Sequence, residues 1–153
     1  MIDLTLAIIK LAVSITLSAM TLCGVLLLAI ILLIAVVSGA ALHWHLYFFY
    51  PWLDIPMHLL GGFWVALFVL AQYYRASFPA RKDPSPLFVV VFAVAVTMTI
   101  GLFWELFEFS AQTLIERAEF HNLGDTLLDL VNDLFGSLCA ATLFIRMGYN
   151  RQT

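Results

Sequence analysis

Four long apolar stretches organise the chain, covering about residues 4–37, 56–74, 87–109 and 126–147. Each is close to or above the ~20 apolar residues a helix needs to cross the hydrocarbon core of a bilayer. Lipid offers no water to satisfy free N–H and C=O groups, so a lipid-embedded stretch of this length is expected to bond within itself as an α-helix. The pattern predicts an all-α fold: a polytopic transmembrane helical bundle of about four spans, one domain over residues 1–153. The first stretch, broken only by Lys10, is longer than one perpendicular span needs. It is expected to tilt strongly, to protrude, or to begin with an interfacial turn. If it held two spans, the N-terminus alone would change sides.

The connections differ in chemistry. Residues 39–53 are aromatic and histidine-bearing (His43, Trp44, His45, Tyr47, Tyr50, Trp52), as expected of a membrane-interface belt. Residues 75–86 form a polar loop with Arg75, Arg81, Lys82 and three prolines, and residues 110–124 are mixed. With four spans, Lys10, Arg75, Arg81, Lys82, Arg146 and Arg151 fall on one side, and Arg117 on the other. The positive-inside bias therefore predicts that both termini are cytoplasmic and that the loops bearing His45 and His121 face outward.

Composition agrees with the pattern: 63% of residues are hydrophobic, 11% are charged, and the mean hydropathy is +1.02. That leaves too few charges to cover a soluble domain. A net charge of −3 gives no reason to expect a nucleic-acid partner. The expected partners are membrane lipids, with other membrane subunits or self-association as further options. Asp3 and the length of the apolar run argue against a cleaved signal peptide ending near Ser38-Gly39-Ala40, so the first helix is expected to be retained. Cys23 and Cys139 lie in apolar runs without metal-spaced neighbours and read as small packing residues.

Three stretches place ionisable residues where lipid-facing positions should be. They are Asp54-Ile-Pro-Met-His58, Glu105-Leu-Phe-Glu108, and Asp125, Asp129 and Asp133 at intervals of four. The topology brings them together. Asp54 and His58 open the second span at its outer end, and the aspartates open the fourth from the same side. Glu105 follows Leu87 by ~27 Å of helix at ~1.5 Å per residue, which carries it to that side as well. Steps of four advance only ~40° around a helix, so the three aspartates form one stripe. Gly61, Gly62 and Gly136 are expected to let helices approach closely around the site.

Six carboxylates and one imidazole in a dry environment require protons, a bound cation or a cationic substrate, since one charge at mid-bilayer costs at least ~2.5 kcal/mol. The predicted metal ligands are Asp54, His58, Glu105, Glu108, Asp125, Asp129 and Asp133. Oxygen donors with one imidazole suit a divalent metal such as Mg, Mn, Ca or Fe, with Zn also compatible. Blander readings stand beside this. Asp54 and Asp125 suit helix caps, His58 suits helix packing, and His43 and His45 suit an interface. His121 is loop-borne and within reach of the cluster, and Glu116, Arg117 and Glu119 suit a solvated face. Glu105, Glu108, Asp129 and Asp133 fall inside apolar helices, where no cap explains them.

In order and spacing, Asp54-x3-His58, Glu105-x2-Glu108 and Asp129-x3-Asp133-x2-Gly136 resemble the VanZ-like membrane proteins and the related YjdF-like bacterial inner-membrane proteins. The resemblance covers about residues 54–140. Glu108 and Asp133 are acids where the VanZ-like pattern carries amides. The resemblance implies the bacterial cytoplasmic membrane and a cell-envelope process, without fixing a reaction.

Three functions follow as expectations. The first is a metal-dependent enzyme acting on a lipid or isoprenoid head group at the outer leaflet. The second is a cation- or proton-coupled transport protein. The third is a non-catalytic accessory subunit of a membrane complex. No Asp-Gly-x2-Ala-Arg start of a CDP-alcohol phosphotransferase, lipid-phosphatase Arg/His set or Gly-x-Ser-x-Gly elbow is present.

Overall fold

The computed structural model describes residues 24–76, 85–114 and 123–149. These residues form α1 (Gly24–His43), the short α2 (Leu46–Phe49), a 3-10 turn (Pro51–Leu53), α3 (Asp54–Ala76), α4 (Pro86–Leu114) and α5 (Leu123–Tyr149). No strand occurs among them. The fold is all-α, and among the described residues four helices are long and apolar enough to cross a membrane: Gly24–His43, Pro51–Tyr73, Pro86–Ser110 and Leu123–Met147.

Every described boundary lies somewhat beyond the sequence expectation, for local reasons. The first helix runs past residue 37 to His43, because nothing in Ser38-Gly39-Ala40-Ala41-Leu42 breaks it. It stops where His45 adopts φ 54° and ψ 35°, a left-handed conformation that a helix cannot continue. Residues 4–23, and with them the question of tilt or turn, lie outside the described residues. α3 begins at Asp54 rather than at residue 56; Pro56 sits in its first turn, where a missing N–H leaves no bond unmade. Asp54 has helical dihedrals (φ −68°, ψ −38°), and Asp125 lies inside the first turn of α5. Each acid thus favours the positive end of its helix dipole from within the first turn. α4 continues past residue 109 because Ser110 donates its hydroxyl to the Leu106 carbonyl at 2.7 Å, keeping a polar residue compatible with the helix.

Helices α3 and α5 run in the same direction, α4 opposes both, and the three close on small residues. At Gly62 a β-carbon would stand 2.6 Å from the Asp133 Cα, and at Gly136 it would stand 2.6 Å from the Phe63 nitrogen. One turn further along, Ala66 and Ala140 are completely buried. These are small residues four apart on both helices, the spacing that lets two backbones touch in a membrane. Gly61 does not share this role: nothing lies within 4 Å of where its β-carbon would be. One residue from Gly62 it is turned ~100° around the helix, off the contact face.

Along α4, the residues at steps of four, Val89, Ala93, Thr97, Gly101 and Glu105, are all buried, a straight inward-facing stripe. The apolar part of the interior is Leu27, Ala66, Leu67, Leu70, Val89, Ala93, Ala140 and Ala141, flanked by Phe63, Trp64, Phe92 and Phe144. Helix α1 is tied to α3 where the Trp64 indole N–H donates to the Leu27 carbonyl at 2.7 Å. The expectation that Cys139 is a packing residue is not met, because it lies exposed on the outer face of α5. Ala140 and Ala141 take the inward positions of that turn. Cys23 lies outside the described residues.

Candidate metal centre

The buried stripes of α3, α4 and α5 become polar at the same end of the bundle. Asp54 and His58 occupy the first turns of α3, Glu105 and Glu108 the far part of α4, and Asp125, Asp129 and Asp133 the first turns of α5. His58, Glu105, Asp129 and Asp133 are buried, at 8%, 3%, 2% and 6% exposure. Asp54, Glu108 and Asp125 are half-buried and form the outer rim. From Leu123 to Asp133 is ~15 Å of helix at ~1.5 Å per residue, so the polar group extends about that far along the bundle from the start of α5.

The His58 ring stands at the centre. Its Nε2 lies 3.8 Å from Asp54 Oδ1, 3.8 Å from Glu105 Oε1 and 4.0 Å from Asp129 Oδ1, oxygens supplied by three helices. Its Nδ1, on the other edge of the ring, lies 3.6 Å from Asp133 Oδ1. Two sets of donor atoms lie within 4.8 Å of one another: Asp54, His58 and Asp129, and His58, Glu105 and Glu108. Donors bound at ~2.0–2.6 Å to one hard divalent ion stand ~3–5 Å apart, so these spacings fit such an ion. Oxygen donors dominate and no thiolate takes part, which matches the donor chemistry of hard divalent metals.

The balance of charge is one-sided. Among the described residues, lysine and arginine are Arg75 and Arg146, near the far ends of α3 and α5. Anions outnumber cations at the cluster, and in a low-dielectric interior that imbalance calls for a cation or for protons.

Of the seven predicted ligands, the structure brings Asp54, His58, Glu105, Glu108 and Asp129 into the two donor sets. Asp133 joins the cluster on the other nitrogen of the ring. Asp125 lies one turn outward from Asp129, outside both sets. His43 and His45 are exposed, and the His43 ring packs edge-on against Trp44 with centroids 5.7 Å apart. His121, Glu116, Arg117 and Glu119 lie outside the described residues.

Three further residues bear on the site. Gly101 makes room for Asp133: a β-carbon there would collide with Asp133 Oδ2 and stand 3.4 Å from its Cγ. Thr97 is 1% exposed, and its hydroxyl has no hydrogen-bond partner. Both share the spacing of four with Glu105, which is the signal that could have found them. Tyr47 lies near the rim. Burial pushes its phenol pKa above the usual value, and the charges of Asp54 and Glu108 push the same way against a hydrogen bond with Ser38. The phenol therefore stays protonated. Nothing in the aromatic run around it singles it out in sequence.

The model of one protein family, described as "Predicted membrane protein (DUF2238)", matches residues 2–150, nearly the whole chain. No curated protein and no solved structure matches it.

Proposed function

The chain belongs to this DUF2238 family of predicted membrane proteins, and from that premise we propose that it holds a divalent metal ion among Asp54, His58, Glu105 and Asp129. In this reading Glu108 is a further donor at the rim and Asp125 an outer acid that draws cations in. One observation carries it: His58 Nε2 stands within 4.0 Å of carboxylate oxygens from three separate helices. Mg, Mn, Ca and Fe suit the oxygen-rich set, and Zn is compatible.

The use we propose for the site is metal-dependent chemistry on a lipid or isoprenoid head group. When bound, a divalent ion polarises a phosphoryl or ester oxygen or lowers the pKa of a water. The chain's own part is to hold the donors near the helix ends, at headgroup depth. Half-buried Asp54, Glu108 and Asp125 form the mouth, and exposed Trp44, Phe48, Phe49, Tyr50 and Trp52 sit next to it in the sequence. The VanZ-like and YjdF-like resemblance supports a cell-envelope role. We place the protein in the bacterial cytoplasmic membrane, as a single domain with its termini in the cytoplasm and the acidic end toward the periplasm. The distribution of Lys and Arg supports this orientation.

A transmembrane cation or proton path fits less well. The polar column of Asp129, Asp133 and Ser137 on α5 gives way to buried Ala140 and Ala141, beside Ala66, Leu67 and Leu70 of α3. Among the described residues, that layer offers no carboxylate or imidazole to pass a charge onward.

Elemental analysis and calorimetric titration of the detergent-purified chain with each candidate metal test the proposal. One ion per chain, lost in Asp129→Asn and Glu105→Gln, is the expected result. No binding by any of the metals would end it. Orientation is tested separately, by labelling an introduced Trp44→Cys in intact cells with a membrane-impermeant maleimide, in a chain lacking Cys23 and Cys139. Labelling is expected from outside.

A further inference from the structure

We propose that Asp133 is a positioning residue for His58 and not a metal ligand. It would hold the proton of Nδ1–H and so turn Nε2 toward Asp54, Glu105 and Asp129. This inference rests on the metal-centre reading for its consequence, though not for its geometry.

The two ring nitrogens face different groups. Asp133 Oδ1 lies 3.6 Å from Nδ1, whereas the three acids of α3, α4 and α5 gather at Nε2. A donor atom on the Nδ1 edge cannot share an ion bound at Nε2, and neither donor set includes Asp133. An imidazole that gives a lone pair at one nitrogen carries its proton on the other, and the acceptor of that proton fixes the tautomer and the ring orientation.

The packing around Asp133 is suited to holding one orientation. Gly62 of α3 abuts its main chain, so that a β-carbon would stand 2.6 Å from its Cα. Gly101 of α4 receives its Oδ2, leaving Oδ1 directed at the imidazole. Asp133 is 6% exposed and His58 8%, so solvent has little access to compete for the Nδ1 proton. Gly62 thus seats the main chain of Asp133 and Gly101 its carboxylate, each from a different helix.

Two measurements on the full chain in detergent decide this. In metal titrations, Asp133→Ala is expected to keep one ion per chain with affinity lowered about 10–100-fold, the usual effect of losing an outer partner. Asp133→Asn, whose amide oxygen still accepts a hydrogen bond from Nδ1–H, is expected to restore most of that loss. Gly101→Ala adds a methyl group and removes no donor, yet it is expected to weaken binding in the same direction, while Gly61→Ala leaves it unchanged. Abolished stoichiometry in Asp133→Ala, as in Asp129→Ala, would make Asp133 a ligand and overturn the proposal. So would Gly101→Ala binding like the parent. The second readout is independent of metal. Nitrogen-15 NMR of the histidine-labelled, metal-free chain, read at alkaline pH where the imidazole carries a single proton, should place that proton on His58 Nδ1 in the parent and in Asp133→Asn, and on Nε2 in Asp133→Ala. A proton unaffected in Asp133→Ala would refute the role. If the parent binds no metal but shows this pattern, the metal reading fails and the positioning role stands.

Discussion

Gly136 of α5 lies directly against the main chain of α3 at Phe63, so close that a β-carbon would stand 2.6 Å from the Phe63 nitrogen. Backbone cannot swing aside as a long side chain can. Gly136→Ala is therefore expected to force the helices apart and to cost about 1–3 kcal/mol, the usual range for overpacking. Thermal unfolding in detergent checks it. Gly61→Ala, at a position facing open space, should unfold like the parent.

Substitution at Asp129 should have opposite effects on binding and on the stability of the metal-free chain. Asp129→Asn removes one of several crowded anions from a site with 2% exposure, while keeping its shape. The metal-free variant is expected to unfold at a higher temperature than the metal-free parent, because less like charge is held in low dielectric. Metal should stabilise the parent but not the variant. At a free concentration of 100 times Kd, the gain in the parent is about 2.7 kcal/mol, and a chelator should abolish it.

Trp64→Phe keeps the ring that stacks on Phe68 with centroids 5.0 Å apart, and removes the indole N–H that Leu27 accepts at 2.7 Å. The expected loss is about 1 kcal/mol, with faster proteolysis near α1 and unchanged metal affinity. Altered metal affinity would show that α1 influences the site.

Thr97→Val replaces a buried hydroxyl that makes no hydrogen bond with a methyl group of similar size. Stability is expected to hold or to rise by up to about 1 kcal/mol. A clear loss would point to a water bonded at that hydroxyl, between the stripe of α4 and the site.

Spans, their number and the three polar stretches were legible because each depends on neighbours along one helix. Apolar length reports a bilayer crossing, and steps of four report a shared face. Boundaries were less so: Asp54 and Ser110 read as polar or loop-edge residues, yet each is compatible with helix for a local reason that hydropathy does not record. Gly61 and Gly62 show the same limit. Both looked able to admit a neighbour, and one turn of ~100° separates the glycine that does from the one that does not.

What the sequence determined by itself was that this chain must lie in a membrane as helices and that the six acids of its three polar stretches begin or end those helices at one end. Both follow from lipid's intolerance of unbonded backbone and of isolated charge. Tertiary structure alone decided which nitrogen of His58 faces which carboxylate, that Gly101 seats Asp133, and that Cys139 points out. Those facts depend on the rotation and register of one helix against another, set by contacts between residues far apart in the chain.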